Sequence, residues 1–222
     1  MPKQARSALT RAAIIRGAAE VFDRFGYGGT SLTDVITQAG VTKGALHFHF
    51  GTKEELAMAV VEEQHAIAMA SAGRMAEQGH PALESVIRLS HELAGQLISE
   101  PVVRAGIRLT LENGTFRAPA PEPYQEWTAV VEQLLEKAVE EKDVRAVMPA
   151  ADIARFVVSA FTGVQVVSQV LTERVDLHWR VRQMWDLLLP TLTPPKKVPY
   201  FRGVAAAGHL ARGGDNLSGP PA

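Results

Sequence analysis

A short segment, Thr42-Lys43-Gly44-Ala45, carries the residue types and spacing that could do the most specific chemistry in this chain. A hydroxyl and an ammonium group lie beside two positions that have almost no side chain. In the first turn of a helix, this combination allows the backbone to approach another surface closely. The segment therefore indicates a binding helix rather than a catalytic centre.

Two short helical patterns position this segment, one on either side of a tight turn. Ser31 is a suitable N-cap with Asp34 on the first turn, and Thr42 can cap the second helix. Gly40 lies where a helix C-terminus needs a left-handed residue. A helix-turn-helix binds DNA by inserting its second helix into the major groove. Two short helices joined by a glycine turn also occur without DNA binding, so the pattern alone leaves that alternative open.

The residues around this turn form a longer pattern. A helix ends near Phe25-Gly26-Tyr27, the segment 30–36 follows, and residues 39–56 read AGVTKGALHFHFGTKEEL. This pattern resembles the N-terminal signature of the TetR family of repressors. The resemblance covers residues 14–56 and implies an all-α fold: a three-helix, helix-turn-helix head and a larger helical body for ligand binding and dimerisation. His47 departs from the family, which usually has a phosphate-contacting tyrosine there. Histidine can still donate a hydrogen bond, with a different reach and some pH sensitivity.

This resemblance implies a double-stranded DNA partner, a pseudo-palindromic operator bound by a homodimer. The residues expected to contact it are Arg6, Ser31, Thr33, Thr42, Lys43, Gly44, Ala45, His47, Phe48 and Lys53. Arg6 belongs to a short basic arm, residues 2–6, for which a frayed terminus is an equally good interpretation.

Composition bounds the class of protein. The chain has 222 residues, of which 46% are hydrophobic, and no cysteine, which excludes disulfides and thiolate chemistry. Net charge is −1, with +2 in residues 1–60 and −3 in the remainder. No apolar run approaches the roughly 18 residues of a membrane span, and the N-terminus lacks the apolar core of a signal peptide. We therefore expect a cytoplasmic protein without a membrane partner.

The rest of the chain reads as a series of amphipathic helices. We expect a DNA-binding domain over residues 1–55, a ligand-binding and dimerisation domain over 56–212, and a disordered tail over 213–222. A first helix is expected over 7–25, with an apolar stripe that forms core: Ile14, Ala18, Val21, Phe22 and Phe25. A glycine-rich turn follows at 26–30, and Phe48 and Phe50 are expected as apolar anchors after the second motif helix. The remaining expected helices are 52–76, 81–98, 101–111, 122–142, 150–171, 177–192 and a short one at 200–211, with a proline-rich loop over 112–123.

Residues 150–171 form the most apolar of these segments and are hydrophobic nearly all round. Such a helix must be buried on more than one side. Together with the 177–192 helix it could form a four-helix dimer interface, to which each subunit contributes two helices. The alternative is that both helices are buried within one subunit.

Catalysis finds little support in the sequence. There is no nucleophile elbow, no phosphate-binding glycine loop and no zinc-binding H-E-x-x-H pair. His47 and His49 are two residues apart, so they diverge on a helix and cannot share a metal. We expect no enzymatic activity, no cofactor and no metal site.

Polar residues within apolar runs of the body suggest a small-molecule cavity, because a buried polar group needs a partner. That partner could be a ligand or another side chain. The segments PVVRAGIRLTLENG, EPYQEW and AFTGVQVVSQVL resemble the γ-butyrolactone receptor branch of the TetR family, which controls secondary metabolism and antibiotic production. This resemblance implies a γ-butyrolactone or butenolide ligand that releases the repressor from DNA. The expected ligand-binding residues are Gln64, Val86, Leu89, Leu109, Trp127, Val131, Phe161, Thr162 and Gln165.

Two other functions compete with this interpretation. One is a helical enzyme or carrier whose apolar pocket is its functional site and which has no DNA role. The other is a TetR-type DNA-binding protein whose body only dimerises.

Overall fold

The computed structural model describes residues 3–112 and 122–210, and in that part of the chain all regular structure is α-helical. The all-α fold expected from the sequence is confirmed. The helices are α1 (Lys3–Gly29), α2 (Leu32–Ala39), α3 (Lys43–His49), α4 (Lys53–Glu77), α5 (Ala82–Ser99), α6 (Pro101–Leu111), α7 (Glu122–Glu140), α8 (Ala150–Thr172), α9 (Leu177–Leu192) and α10 (Val198–Leu210).

Two compact units make up the chain. The N-terminal unit comprises residues 1–68 and 99–121, and the C-terminal unit comprises residues 69–98 and 122–222. Helix α4 is continuous across residues 68 and 69. Most of the proline-rich loop and the predicted disordered tail over 213–222 lie outside the described residues.

Helix boundaries agree with the sequence pattern to within two residues for α4 to α10, and α6 and α9 match at both ends. Helix α1 is longer than expected. It begins at Lys3, so Arg6 is helical rather than part of an extended arm, and the Thr10 hydroxyl donates to the Arg6 carbonyl at 3.0 Å. Gly26 (φ 68°, ψ 179°) kinks α1 at the turn that its glycines indicated.

Apolar side chains from α1 to α4 and from α6 form the core of the N-terminal unit. Its fully buried members include Ile14, Phe22, Val35, Leu46 and Leu56. The prediction that Phe25 belongs to this core was wrong, because its side chain is 51% exposed. The Phe25 side chain lines an open cavity of about 210 Å³ between α1 and α2, and the Arg24 guanidinium lies 5.7 Å from its ring centre.

Buried polar contacts join distant helices in the C-terminal unit. Trp185 on α9 is fully buried, and its indole Nε1 donates to the Ser90 hydroxyl on α5 at 2.9 Å. The Nδ1 atoms of His91 and His178 lie 3.2 Å apart, and their rings stack at 5.5 Å. Helix α10 adds a hydrogen bond from the Tyr200 hydroxyl to the Glu84 carboxylate.

Among the described residues, α8 is the one helix that is long and apolar enough, by length and composition, to cross a membrane, although Asp152, Arg155, Gln165 and Gln169 interrupt its apolar residues. This is weak evidence for a span, because core helices of water-soluble proteins meet the same criterion. Gln165 and Ser168 are buried polar residues within α8, and Asp152 and Arg155 pair at its start.

Candidate nucleic-acid interface

Helix α2 begins at a complete capping box. The Ser31 hydroxyl accepts from the Asp34 N–H at 3.2 Å, and the Asp34 carboxylate accepts from the Ser31 N–H at 3.0 Å. The hydrogen bonds from the Ser31 hydroxyl and backbone hold the pKa of Asp34 below its ordinary value. The Ser31 hydroxyl is therefore engaged in starting the helix.

The turn between α2 and α3 depends on two glycines. Gly40 adopts the left-handed conformation (φ 64°), and its N–H bonds the carbonyls of Ile36 and Thr37 to close α2. Gly17 on α1 allows α2 to approach closely, since a Cβ at this position would lie 2.7 Å from the Ala39 Cβ. Together they fix the end of α2 against α1.

Helix α3 presents its outer face to solvent. The Thr42 hydroxyl accepts from the Ala45 N–H at 3.1 Å, and Leu46, fully buried, anchors the helix in the core. Lys43, Gly44, His47 and Phe48 are all exposed on this short helix. The structure thus brings these four predicted DNA-contacting residues onto one accessible surface, with Thr42 and the half-buried Ala45 at its start.

Phe48 and Phe50, expected as apolar anchors, differ in burial. Phe50 is 4% exposed, and the Arg11 guanidinium lies 5.3 Å from its ring centre. Phe48 is 79% exposed, so it does not anchor α3. The reason is helical geometry: Leu46 and Phe50 are four residues apart and share the inner face, from which Phe48 points away.

The other predicted DNA-contacting residues are more scattered. Arg6 on α1 and Thr33 on α2 are exposed. Lys53, at the start of α4, is already engaged: its ammonium donates to the carbonyls of Tyr27 and Thr30 at 2.8 and 2.9 Å and lies 4.3 Å from the Tyr27 ring centre. This geometry assigns Lys53 a structural role at the turn before α2, and a phosphate contact by it stays a prediction.

The predicted ligand-binding residues fall in both units. Gln64 and Leu109 are buried in the N-terminal unit, where Gln64 packs against Gly106 on α6. The other seven lie in the C-terminal unit, on α5, α7 and α8. Trp127 on α7 is half-buried, whereas Val86, Leu89, Val131 and Phe161 are buried.

Protein groups bond the two polar residues predicted on α8. Thr162 donates to the Val158 carbonyl at 2.9 Å and shares a hydrogen bond with Tyr124 on α7. Burial raises the pKa of that tyrosine, and the bond to Thr162 only partly offsets the effect. The Gln165 carbonyl oxygen accepts from Arg174 at 3.4 Å. Sequence reasoning missed Tyr124, although its position three residues before Trp127 places both on one face of α7.

Within the described ranges, no group of three or more His, Cys, Asp or Glu side chains could hold a metal ion. The exposed face of α3 offers binding through a surface.

Helix α2 begins at a capping box and ends at Gly40, and the exposed helix α3 follows it directly. This is the arrangement of a helix-turn-helix regulator. The family model for bacterial regulatory proteins of the tetR family matches residues 14–60. The model for the tetracyclin repressor-like C-terminal domain matches residues 80–194. The chain belongs to the TetR family of DNA-binding transcriptional repressors.

Individual relatives refine this class. The A-factor receptor protein of Streptomyces griseus is 34% identical over 202 residues, which are 91% of this chain and 70% of the relative. A crystal structure described as a gamma-butyrolactone receptor (ArpA-like protein) is 32% identical, with a TM-score of 0.78 over 93% of this chain and 99% of that one. CprB from Streptomyces coelicolor, solved with its operator sequence, is 35% identical, with a TM-score of 0.77 over the same shares.

Proposed function

We propose that this protein is a homodimeric repressor that a small lipophilic molecule of the γ-butyrolactone or butenolide type releases from a pseudo-palindromic operator. Its targets on this proposal are genes of secondary metabolism or antibiotic production, and it acts in the cytoplasm without enzymatic activity. The observation that carries the proposal is the exposed outer face of α3, which Leu46 and the Thr42 cap hold in place.

DNA binding is tested with a duplex selected by the wild-type protein from a library of random sequences. We expect a two-fold related site whose half-sites lie about one helical turn apart, roughly 34–36 Å. Inserting five base pairs between the half-sites rotates one of them by half a turn and should abolish tight binding in gel shift. Undiminished affinity would contradict the symmetric dimer, and failure to select any sequence would favour the enzyme or carrier alternative.

Dimerisation is supported by an apolar face that the single chain leaves exposed. Phe156, Val167 and Val170 on α8 follow helical spacing at 58%, 46% and 77% exposure, and Leu187 on α9 is 79% exposed. Contiguous apolar surface of this kind marks interaction sites in soluble proteins. We expect Val170→Glu to give a monomer by light scattering. Val147→Glu, at an exposed apolar residue between α7 and α8, is the matched control and should remain dimeric.

Ligand release is supported by the γ-butyrolactone receptor named among the solved relatives and by the aromatic side chains of α7. The probe is a synthetic γ-butyrolactone carrying an alkanoyl chain, titrated against the protein bound to a labelled duplex. Release at micromolar concentration supports the proposal. DNA binding that no lactone or butenolide alters would support the alternative of a body that only dimerises.

A further inference from the structure

Three polar side chains, two on α6 and one at its C-cap, lie along the C-terminal end of α1. They are Arg104, Arg108 and Glu112, spaced four residues apart. The Arg104 Nε donates to the Asp23 carboxylate at 2.7 Å, and the Arg108 Nη1 donates to the Asp23 carbonyl at 2.7 Å. The Glu112 carboxylate accepts from the backbone N–H of Tyr27 at 2.9 Å. All of these residues belong to the N-terminal unit.

These bonds satisfy backbone groups that the kink in α1 exposes. Gly26 breaks the helical hydrogen-bond ladder, and the groups on either side of such a break need other partners. Arg108 donates a hydrogen bond to the Asp23 carbonyl before the kink, and Glu112 accepts one from the Tyr27 N–H after it. The Arg108 Nε also donates to the second Glu112 oxygen at 2.6 Å, so the carboxylate that holds the backbone is itself held.

Gly26 is required here for space as well as for conformation. A Cβ at Gly26 would lie 2.5 Å from a Glu112 carboxylate oxygen and 2.8 Å from an Arg108 nitrogen. The kink and the α6 side chains therefore fit each other closely, and any side chain at position 26 would displace the carboxylate.

Helix α4 holds the same turn from its other end. Lys53 binds the carbonyls of Tyr27 and Thr30, and the Thr30 hydroxyl donates to the Gly26 carbonyl at 2.7 Å. The next residue, Ser31, is the N-cap of α2. The position of this turn thus sets where α2 begins, and α2 in turn carries α3.

We propose that Glu112 is a positioning residue for DNA binding: through the Tyr27 N–H, it holds the Gly26–Thr30 turn so that α2 and α3 adopt the operator-binding arrangement. The inference rests on the proposed DNA binding. On this proposal, the C-terminal end of α6 helps to position the DNA-binding helices, although it lies outside residues 14–60, which the N-terminal family model matches.

The length and the charge of the Glu112 side chain lead to opposite predictions for DNA affinity. If Glu112 acted only through its charge, its removal would reduce repulsion of the phosphate backbone and strengthen binding. A positioning role requires instead that the side chain be long enough to reach the Tyr27 N–H. The Arg108–Glu112 pair is partly exposed, at 40% and 26%, so its Coulomb energy alone contributes little.

Two conservative variants separate these possibilities. Glu112→Asp keeps the charge but shortens the side chain, whereas Glu112→Gln keeps the length and an acceptor oxygen but removes the charge. Affinity for the selected duplex is measured over a range of salt concentrations. Hydrogen exchange of the peptide covering residues 26–31 is followed by mass spectrometry, and melting confirms that each variant is folded. Glu62→Gln, at an exposed glutamate of α4, is the control for loss of one negative charge.

We expect Glu112→Asp to bind about tenfold more weakly, which corresponds to the loss of one charge-assisted hydrogen bond, with an unchanged salt slope and faster exchange over residues 26–31. Glu112→Gln should stay within about threefold of the wild type, because its amide oxygen can still accept from Tyr27 and the bond it loses to Arg108 is partly exposed. Wild-type affinity in Glu112→Asp would overturn the proposal. If the wild type selects no duplex, the proposed function fails, and unchanged exchange in Glu112→Asp would then refute the turn contact independently.

Discussion

The helix caps of the helix-turn-helix segment and the buried contacts of the C-terminal unit join residues at different sequence ranges. In the N-terminal unit, the side-chain caps of α2, α3 and α4 join residues three apart, as in Ser31 with Asp34 and Thr42 with Ala45. In the C-terminal unit, the bond from Trp185 to Ser90 spans 95 residues, and the bond from Tyr200 to Glu84 spans 116. The first kind of contact can be read from a short stretch of sequence, whereas the second exists only after the helices have packed.

We expect the largest loss of stability from substitutions that remove a buried long-range contact. In the C-terminal unit, Trp185→Ala is such a substitution. Trp185 is fully buried and its indole N–H is bonded, so truncation leaves a cavity and a Ser90 hydroxyl without that donor. We expect a loss of about 3–5 kcal/mol in the free energy of unfolding, measured by denaturant titration.

Trp127→Ala is the matched control for Trp185→Ala, because the half-buried Trp127 loses fewer contacts on truncation. It should cost much less stability and should raise the lactone concentration needed to free a labelled operator. Equal destabilisation by the two substitutions would show that Trp127 is a core side chain, and unaltered induction would remove it from the proposed ligand site.

Gly17→Ala tests the corresponding weak point of the N-terminal unit. A Cβ at Gly17 would lie within 2.8 Å of backbone atoms of Ala39, so α1 and α2 must separate. Overpacking of this kind costs about 1–3 kcal/mol. The variant should melt earlier and bind the selected duplex more weakly.

Gly73→Ala provides the comparison for Gly17→Ala, since a Cβ there meets nothing within 4 Å and Gly73 lies within α4. We expect it to be neutral or to stabilise by up to about 1 kcal/mol, as glycine is a poor helix former. If Gly17→Ala were equally harmless, the close approach of α1 and α2 would not be a constraint.

These contrasts explain how far the sequence predicts the molecule. The helix-turn-helix was predicted correctly because capping, left-handed glycine and apolar spacing are local. Phe25 was assigned to the core because its spacing follows Ile14 and Phe22, but spacing cannot show that α2 leaves a cavity beside it. The bond between Glu112 and the Tyr27 N–H was missed for a related reason, because nothing in the local sequence of Glu112 indicates a partner 85 residues away.

The predicted ligand site shows the same limit. Thr162 and Gln165 were correctly recognised as polar residues in an apolar helix, and each has a protein partner in Tyr124 and Arg174 respectively. A polar residue within an apolar helix indicates that a hydrogen-bond partner is needed, but the sequence does not identify that partner. The assignment of these residues to a ligand stays a prediction.

Tyr200→Phe should have a smaller effect that depends on pH. Burial opposes ionisation of Glu84, but hydrogen bonds from Tyr200 and Arg88 outweigh it and hold the pKa of Glu84 below its ordinary value. A carboxylate with a lowered pKa in the folded state stabilises the protein at neutral pH, and this stabilisation is lost as the pH falls through the folded-state pKa. We expect Tyr200→Phe to cost about 1 kcal/mol at pH 7.

The pH dependence distinguishes this bond from simple packing. The difference in unfolding free energy between wild type and Tyr200→Phe should shrink as the pH falls and Glu84 becomes protonated. In a Glu84→Gln background, Tyr200→Phe should cost less than it does in the wild type, as a double-mutant cycle measures. A cost that is constant with pH would contradict the role of the ionised carboxylate.

The smallest expected effect on stability is that of Lys43→Ala, and this is what makes it informative. Lys43 is exposed on α3, whereas Lys53 binds two backbone carbonyls of the turn before α2. Lys43→Ala should therefore melt with the wild type, and Lys53→Ala should melt earlier. The two variants test whether the positive charges of the N-terminal unit serve DNA or structure.

The DNA measurements then decide what Lys43 contacts. If its ammonium meets a phosphate, Lys43→Ala should weaken binding to all sequences alike and reduce the salt slope by about one. If it meets a guanine edge, the loss should be about 1–3 kcal/mol and confined to one operator position. Lys53→Ala should leave the salt slope unchanged if its ammonium remains on the Tyr27 and Thr30 carbonyls in the complex. Wild-type affinity and salt slope in Lys43→Ala would mean that the exposed face of α3 does not bind DNA, because no other predicted contact on that helix carries a permanent positive charge.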